Sequence, residues 1–168
     1  EGGWKISIEE LKAMDLSKVK LMWVNYPHMP TGATADETYF KELIALAEEF
    51  EFLLVNDNPY AHILTENPLS ILKHDQHRTH VLELNSLSKS MKMAGWRVGM
   101  LSGGKDLIQA VLQVKSNMDS GMYFGIQKAA IAALEEHASW FTQLNQVYEK
   151  RREKVWKIMD MLNCVYDQ

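Results

Sequence analysis

Three short segments hold the side chains whose types could do covalent chemistry together. Lys89 stands in Ser86-Leu87-Ser88-Lys89-Ser90, Arg97 follows in Gly95-Trp96-Arg97-Val98-Gly99, and Asp57 and Tyr60 share Asp57-Asn58-Pro59-Tyr60. An amine attacks an aldehyde once burial or a cationic neighbour has depressed its pKa. A carboxylate can keep a ring nitrogen protonated, a phenol can donate to a phenolic oxygen, and serines beside an arginine suit a phosphate, which the arginine grips bidentately. Pyridoxal 5′-phosphate requires that set, with Lys89 forming the Schiff base, Asp57 at the ring nitrogen, Tyr60 at the phenolic oxygen and Ser86, Ser88 and Arg97 at the phosphate. Singly, each residue is ordinary: a lysine is usually a solvated charge, and an aspartate that ends a strand is usually a turn-former. The weight lies in their arriving together.

Those segments need a scaffold that brings them to one place. Val19 to Asn25 is a dense apolar run, as expected of a strand buried on both faces, and Phe52-Leu53-Leu54-Val55 and Val81-Leu82-Glu83-Leu84 repeat the pattern. Between the first two, Thr34 with Glu37 three residues on reads as a capping box opening a helix whose apolar stripe is Phe40, Leu43, Ile44 and Ala47. Strand, helix and strand at this spacing predict parallel pairing with right-handed crossovers. Ile8, Leu11 and Met14 suggest a short helix before the first strand, and 98–101 a fourth strand. The link from Ala61 to His80, which contains Pro68, reads as loop. Beyond Lys105 the pattern turns helical, with one stripe at Leu107, Val111 and Val114, another from Ile126 to Leu134, and a long amphipathic helix from Trp140 to about Leu162. The expected fold is α/β in three layers, a mainly parallel sheet flanked by helices and ending in a long helix. Residues 1–140 would form the cofactor-binding part, and 141–168 a helix leading towards another domain. In such a sheet ligands bind beyond the carboxyl ends of the strands, where Asn25–Gly32, Asp57–Tyr60 and Ser86–Lys89 fall.

Composition narrows the alternatives. The 168 residues are 46% hydrophobic and 24% charged, which suits one globular domain, and a net charge of −4 with mixed signs argues against nucleic acid as a partner. No apolar run approaches bilayer-spanning length, so membrane insertion is not expected and a cytoplasmic location is. Cys164 is the single cysteine and cannot form an internal disulfide. His62, His74, His77 and His80 match no ligand spacing, and no metal is expected. The start at Glu1-Gly2-Gly3-Trp4, without methionine, and the apolar close before Asp167-Gln168 are read as marks of a piece of a longer protein. A nucleotide-binding module is disfavoured, because no Gly-x-Gly-x-x-Gly follows the first strand.

The motifs Tyr26-Pro-His-Met-Pro-Thr-Gly32, Asp57-Asn-Pro-Tyr60 and Ser86-Leu-Ser-Lys-Ser-Met-Lys-Met-Ala-Gly-Trp-Arg-Val-Gly99 resemble, in order, those of class I aminotransferases among the fold type I pyridoxal-phosphate enzymes. The last is the most specific, and the resemblance runs on through Gly121 to Leu134 and into the long helix. It implies an aminotransferase, a homodimer at full length, that moves an amino group between an amino acid and a 2-oxo acid. Lys89 matches the Schiff-base lysine that also shuttles the substrate proton, Asp57 the partner of the pyridinium nitrogen, Tyr60 the ligand of the phenolic oxygen, and Ser86 and Arg97 phosphate ligands. Ser88 falls where some members also contact phosphate, and Tyr123 and Gln127 fall near the family's active site and dimer interface. Carbon–sulfur lyases of the same fold share these motifs, and so do aminotransferase-like domains of non-catalytic ligand-sensing regulators.

Two departures bear on the expectation. The family usually has asparagine before Pro30-Thr31-Gly32, donating to the phenolic oxygen; Met29 stands here and cannot donate, which leaves that role to Tyr60 or to Asn25 or His28. The glycine-containing phosphate loop and the arginine that binds the substrate carboxylate have no counterpart in these residues, so the 168-residue chain alone is expected to be inactive.

Overall fold

The computed structural model describes residues 3–65, 67–75, 77, 79–137 and 139–166. Glu1, Gly2, Asp167 and Gln168, on which part of the reading of the chain ends rests, fall outside them. The elements are α1 (Ile8–Ala13), β1 (Leu21–Val24), α2 (Glu37–Glu49), β2 (Leu53–Asp57), β3 (Val81–Ser86), α3 (Leu87–Ser90), β4 (Gly99–Gly103), α4 (Lys105–Met118), α5 (Phe124–Leu134) and α6 (Ser139–Met161). Single 3₁₀ turns at Ile71–Lys73 and Ala94–Trp96 interrupt the connections, the first within the segment expected to be loop.

The four strands form one sheet in the order β1-β2-β3-β4, flanked by helices. β1 pairs parallel with β2, Leu21 opposite Leu53, and β2 parallel with β3, Leu54 opposite Val81. β4 runs antiparallel to β3, with Ser86 opposite Gly99. The residues between Ser86 and Gly99 are taken up by α3 and a 3₁₀ turn, and Leu87 N–H donating to the Val98 carbonyl brings the chain back beside the end of β3, so β4 starts where β3 stops and runs the other way. Gly103 is required at this pairing, because a Cβ there would stand 2.6 Å from Leu82 Cδ2 and 2.8 Å from the Val81 carbonyl oxygen.

One face of the sheet carries the main core. Phe40, Leu43, Ile44 and Ala47 of α2 are all buried, packing with Val24, Leu54, Val81, Ile71 and the α1 residues Ile8 and Leu11. Tyr39 closes a loop with the chain start: its hydroxyl donates to the Ile6 carbonyl at 2.9 Å and lies 3.2 Å from the Tyr26 hydroxyl, which accepts from Ile6 N–H at 3.3 Å. Burial and the Tyr26 hydroxyl hold the Tyr39 phenol well above its ordinary pKa.

Two local expectations are corrected. Asp36, not Thr34, caps α2, accepting from Tyr39 N–H at 2.9 Å; a cap must stand immediately before the first helical residue, which is Glu37. β1 is not buried on both faces: Leu21 and Trp23 are about half exposed while Val24 is buried. β1 is an edge strand here, and alternation sends Leu21 and Trp23 to the face that α2 does not cover.

Candidate active site

The carboxyl ends of β2 and β3 are stitched together before any functional side chain is considered. Asn58 N–H donates to the Leu84 carbonyl at 2.8 Å, and Asn85 Nδ2 to the Asn58 carbonyl at 3.2 Å. From β1, Asn25 Nδ2 reaches the Asp57 carbonyl at 2.6 Å while its Oδ1 accepts from Met29 N–H at 2.8 Å. One asparagine thus joins the Asp57 backbone to the turn that holds Met29, whose side chain is exposed. His28 Nδ1 is engaged with the Thr31 hydroxyl at 2.7 Å.

Beneath these ends lies a buried polar bridge. Glu83 Oε2 accepts from Ile71 N–H at 3.0 Å and from Asn56 Nδ2 at 3.4 Å, and Asn56 Oδ1 accepts from Tyr26 N–H at 3.1 Å. Glu83 and Asn56 are 3% and 0% exposed, so these bonds replace the water that their polar atoms have lost. Neither residue is among those nominated from the sequence. Their signal was present: an asparagine and a glutamate on the inward face of otherwise apolar strands, where a polar side chain persists only with buried partners.

The six nominated side chains are disposed as follows. Asp57 ends β2, half-buried, and burial raises its carboxyl pKa. Tyr60 begins a turn closed by Ile63 N–H donating to its carbonyl at 2.9 Å. Lys89 lies on α3, its Nζ 6.0 Å from the centroid of the Tyr60 ring, so the amine and the phenol share one space. Ser86 caps α3, its Oγ accepting from Ser88 N–H at 3.1 Å and lying 3.5 Å from the Val98 carbonyl. That hydroxyl therefore orients the lysine helix, and Ser88 occupies its first turn. Arg97 follows the 3₁₀ turn in the left-handed region, φ 55°, exposed, with Nη1 donating to the Ala94 carbonyl at 3.0 Å. Leu87 N–H donates to the Val98 carbonyl at 3.1 Å, which seats the segment just after Arg97 beside the start of α3. Asp57, Tyr60 and Lys89 thus gather at the ends of neighbouring parallel strands, with Ser86, Ser88 and Arg97 along the segment that turns back from them.

A family model described as aminotransferase class I and II matches residues 1–167. The chain belongs to the class I and II aminotransferases. Among relatives, it is 41% identical over 142 residues to an LL-diaminopimelate aminotransferase of Dehalococcoides mccartyi, covering 83% of this chain and 37% of that protein. It is 39% identical over 147 residues to LL-diaminopimelate aminotransferase 2 of a Nostoc species, 86% of this chain and 38% of the other. Among solved structures, it superposes on apo-BacF of Bacillus subtilis with a TM-score of 0.89 at 33% identity, covering 95% of this chain and 41% of that one. A probable N-succinyldiaminopimelate aminotransferase of Thermus thermophilus gives 0.84 at 31%, over 90% and 42%. The chain therefore spans about two-fifths of the length of these aminotransferases.

The donor set fits pyridoxal phosphate. A half-buried carboxylate that has no cationic partner among the described residues suits a protonated ring nitrogen, since a cation brought against it would offset its desolvation. An amine beside a phenol suits the aldehyde and the neighbouring phenolic oxygen.

Proposed function

We propose that the full-length protein is a pyridoxal-phosphate-dependent aminotransferase that moves an amino group between an amino acid and a 2-oxo acid, with Lys89 holding the cofactor covalently. The observation that carries this reading is the convergence of Lys89, Tyr60 and Asp57 at the carboxyl ends of β2 and β3 in a chain of this family. When bound, the cofactor supplies an electron sink. Asp57, ionised, keeps the ring nitrogen protonated. Tyr60 donates to the phenolic oxygen, a role made heavier by Met29 in the turn opposite. Ser86, Ser88 and Arg97 hold the phosphate, Arg97 by turning its guanidinium from the Ala94 carbonyl. Once the incoming amino acid has released it, the Lys89 amine would take the proton from the substrate α-carbon and carry it to the carbon that had been the cofactor's aldehyde.

The same reading makes the full-length protein a cytoplasmic homodimer in which residues 141–168 lead to a second domain. Among the described residues, no helix is long and apolar enough to cross a membrane. The names of the relatives make diaminopimelate the first amino donor to try.

Borohydride reduction of the cofactor-loaded full-length protein, followed by peptide mapping, tests the assignment. The expected label lies on Lys89; label on any other lysine overturns it.

A further inference from the structure

The first two turns of α6 touch both segments that hold the cofactor groups. Trp140 Nε1 donates to the Ser90 carbonyl at 2.8 Å, one residue past Lys89 on the four-residue α3, and Lys92 Nζ stands 5.8 Å over the Trp140 ring. Asn145 grips the Tyr60 loop at two points: its Oδ1 accepts from Leu64 N–H at 2.8 Å and its Nδ2 donates to the His62 carbonyl at 3.1 Å. Between them, Phe141 stacks on the His62 ring at 4.3 Å, and Leu144 is the buried residue of the helix.

Positions 140, 141, 144 and 145 share one helical face, so a single rigid surface meets both segments. Leu64, at one of the two grip points, has an uncommon backbone conformation. Its φ is 52°, the left-handed region, which is unfavourable for a residue with a side chain and persists only where surroundings impose it. Asn145 is the side chain bonded to its amide. Ile63 N–H on the Tyr60 carbonyl makes residues 60–64 one unit, so a grip at 62 and 64 also places Tyr60.

We propose that Trp140 and Asn145 are positioning residues: the amino-terminal face of α6 clamps the Lys89 helix through the Ser90 carbonyl and the Tyr60 loop through His62 and Leu64, and so sets the gap between Lys89 and Tyr60. This rests on the assignment of those two residues to the cofactor. Neither clamp residue touches the reacting atoms; each acts through a backbone group of a segment that carries one.

The test uses the full-length protein with Trp140→Phe, which removes the indole donor and keeps an aromatic ring, and Asn145→Asp, which keeps an acceptor for Leu64 N–H and loses the donor to His62. Val147→Ala, one turn along, is the control. Amide hydrogen exchange is followed in cofactor-free protein at 87–92 and 60–65, and visible circular dichroism and cofactor dissociation in loaded protein. Losing one hydrogen bond at each grip is expected to raise exchange about tenfold, at 87–92 for Trp140→Phe and at 60–65 for Asn145→Asp. Both should change the visible dichroic band and weaken cofactor binding several-fold, while Val147→Ala moves neither. A helix that merely adds stability would lower the melting temperature and leave the band unchanged, and that result overturns the clamp. Unchanged exchange in both variants, or equal changes in Val147→Ala, also overturns it. Failure of the Lys89 assignment reads differently: the parent protein shows no visible band or carries its borohydride label elsewhere, while the exchange measurement still judges the grip.

Discussion

α2 and the three carboxyl-terminal helices are built on opposite terms. α2 buries six of its thirteen residues against the sheet, among them Phe40, Leu43 and Ala47 at 1%, 0% and 0% exposure. α4 and α5 bury none, and α6 buries Leu144. Yet those helices are not polar: Val114, Met118, Phe124 and Ile131 are all about half exposed or more. Because a helix in a protein takes most of its stability from packing one face, helical propensity and apolar content do not make α4 and α5 core elements of this chain. They are helices whose apolar faces this chain alone does not cover, in a chain about two-fifths the length of its relatives. The site lies on the boundary: Asp57 and Tyr60 grow from the well-packed half, while the Lys89 helix is braced from the other.

The sharpest way to break that contrast is a pair of truncations. Phe40→Ala should cost about 3–5 kcal/mol in urea unfolding, and Val114→Ala, which loses exposed surface, no more than about 0.5 kcal/mol. Similar costs would show that α4 contributes to the core as α2 does. Next in size is Glu83→Ala, which leaves Ile71 N–H and the Asn56 amide without their acceptor; about 1–3 kcal/mol is expected, with Glu83→Gln losing less because an acceptor oxygen remains. Asp36→Ala should cost about 1 kcal/mol through loss of the α2 cap, where Thr34→Ala should cost nearly nothing.

The smallest effect has the opposite sign. Burial raises the Asp57 carboxyl pKa, so the folded state favours the protonated form, and ionisation at higher pH costs stability. Any stabilising contribution is complete below the unfolded value and is lost as pH rises through the folded one. Asp57→Asn should therefore raise the melting temperature of cofactor-free protein modestly at neutral pH and leave it unchanged below the ordinary carboxylate range, while abolishing the turnover proposed for the full-length protein. A lower melting temperature at neutral pH would mean that Asp57 has a stabilising partner in the full-length protein.

Much of this was legible in the residues. The α2 stripe, β2 and β3, and the helical character of 105–134 follow from apolar periodicity, which is a local property. The sheet direction at β4 was not, since nothing within Gly99–Gly103 states which way it pairs; the fold-back closed between Leu87 and Val98 decides it. Nor was the exposure of Leu21 and Trp23, because an apolar run reads alike at the centre and the edge of a sheet. Of the site, the motifs nominated Lys89, Asp57, Tyr60, Ser86, Ser88 and Arg97 by type and spacing. The bonds that support those segments involve Asn25, Asn56, Glu83, Trp140 and Asn145, scattered through the chain and belonging to no motif.

By itself, then, the sequence determined which chemical groups are present and that they follow buried strands, because residue type and hydrophobic period are written locally. The tertiary structure alone decided that Lys89 Nζ faces the Tyr60 ring, that Asn25 ties Asp57 to the Met29 turn, and that α6 reaches back to Ser90 and Leu64. The bonds from Asn25 to Asp57, from Trp140 to Ser90 and from Asn145 to Leu64 span 32, 50 and 81 positions, and the approach of Lys89 to Tyr60 likewise joins separate elements. Such contacts depend on how the elements dock, and docking is set by burial summed over the whole chain.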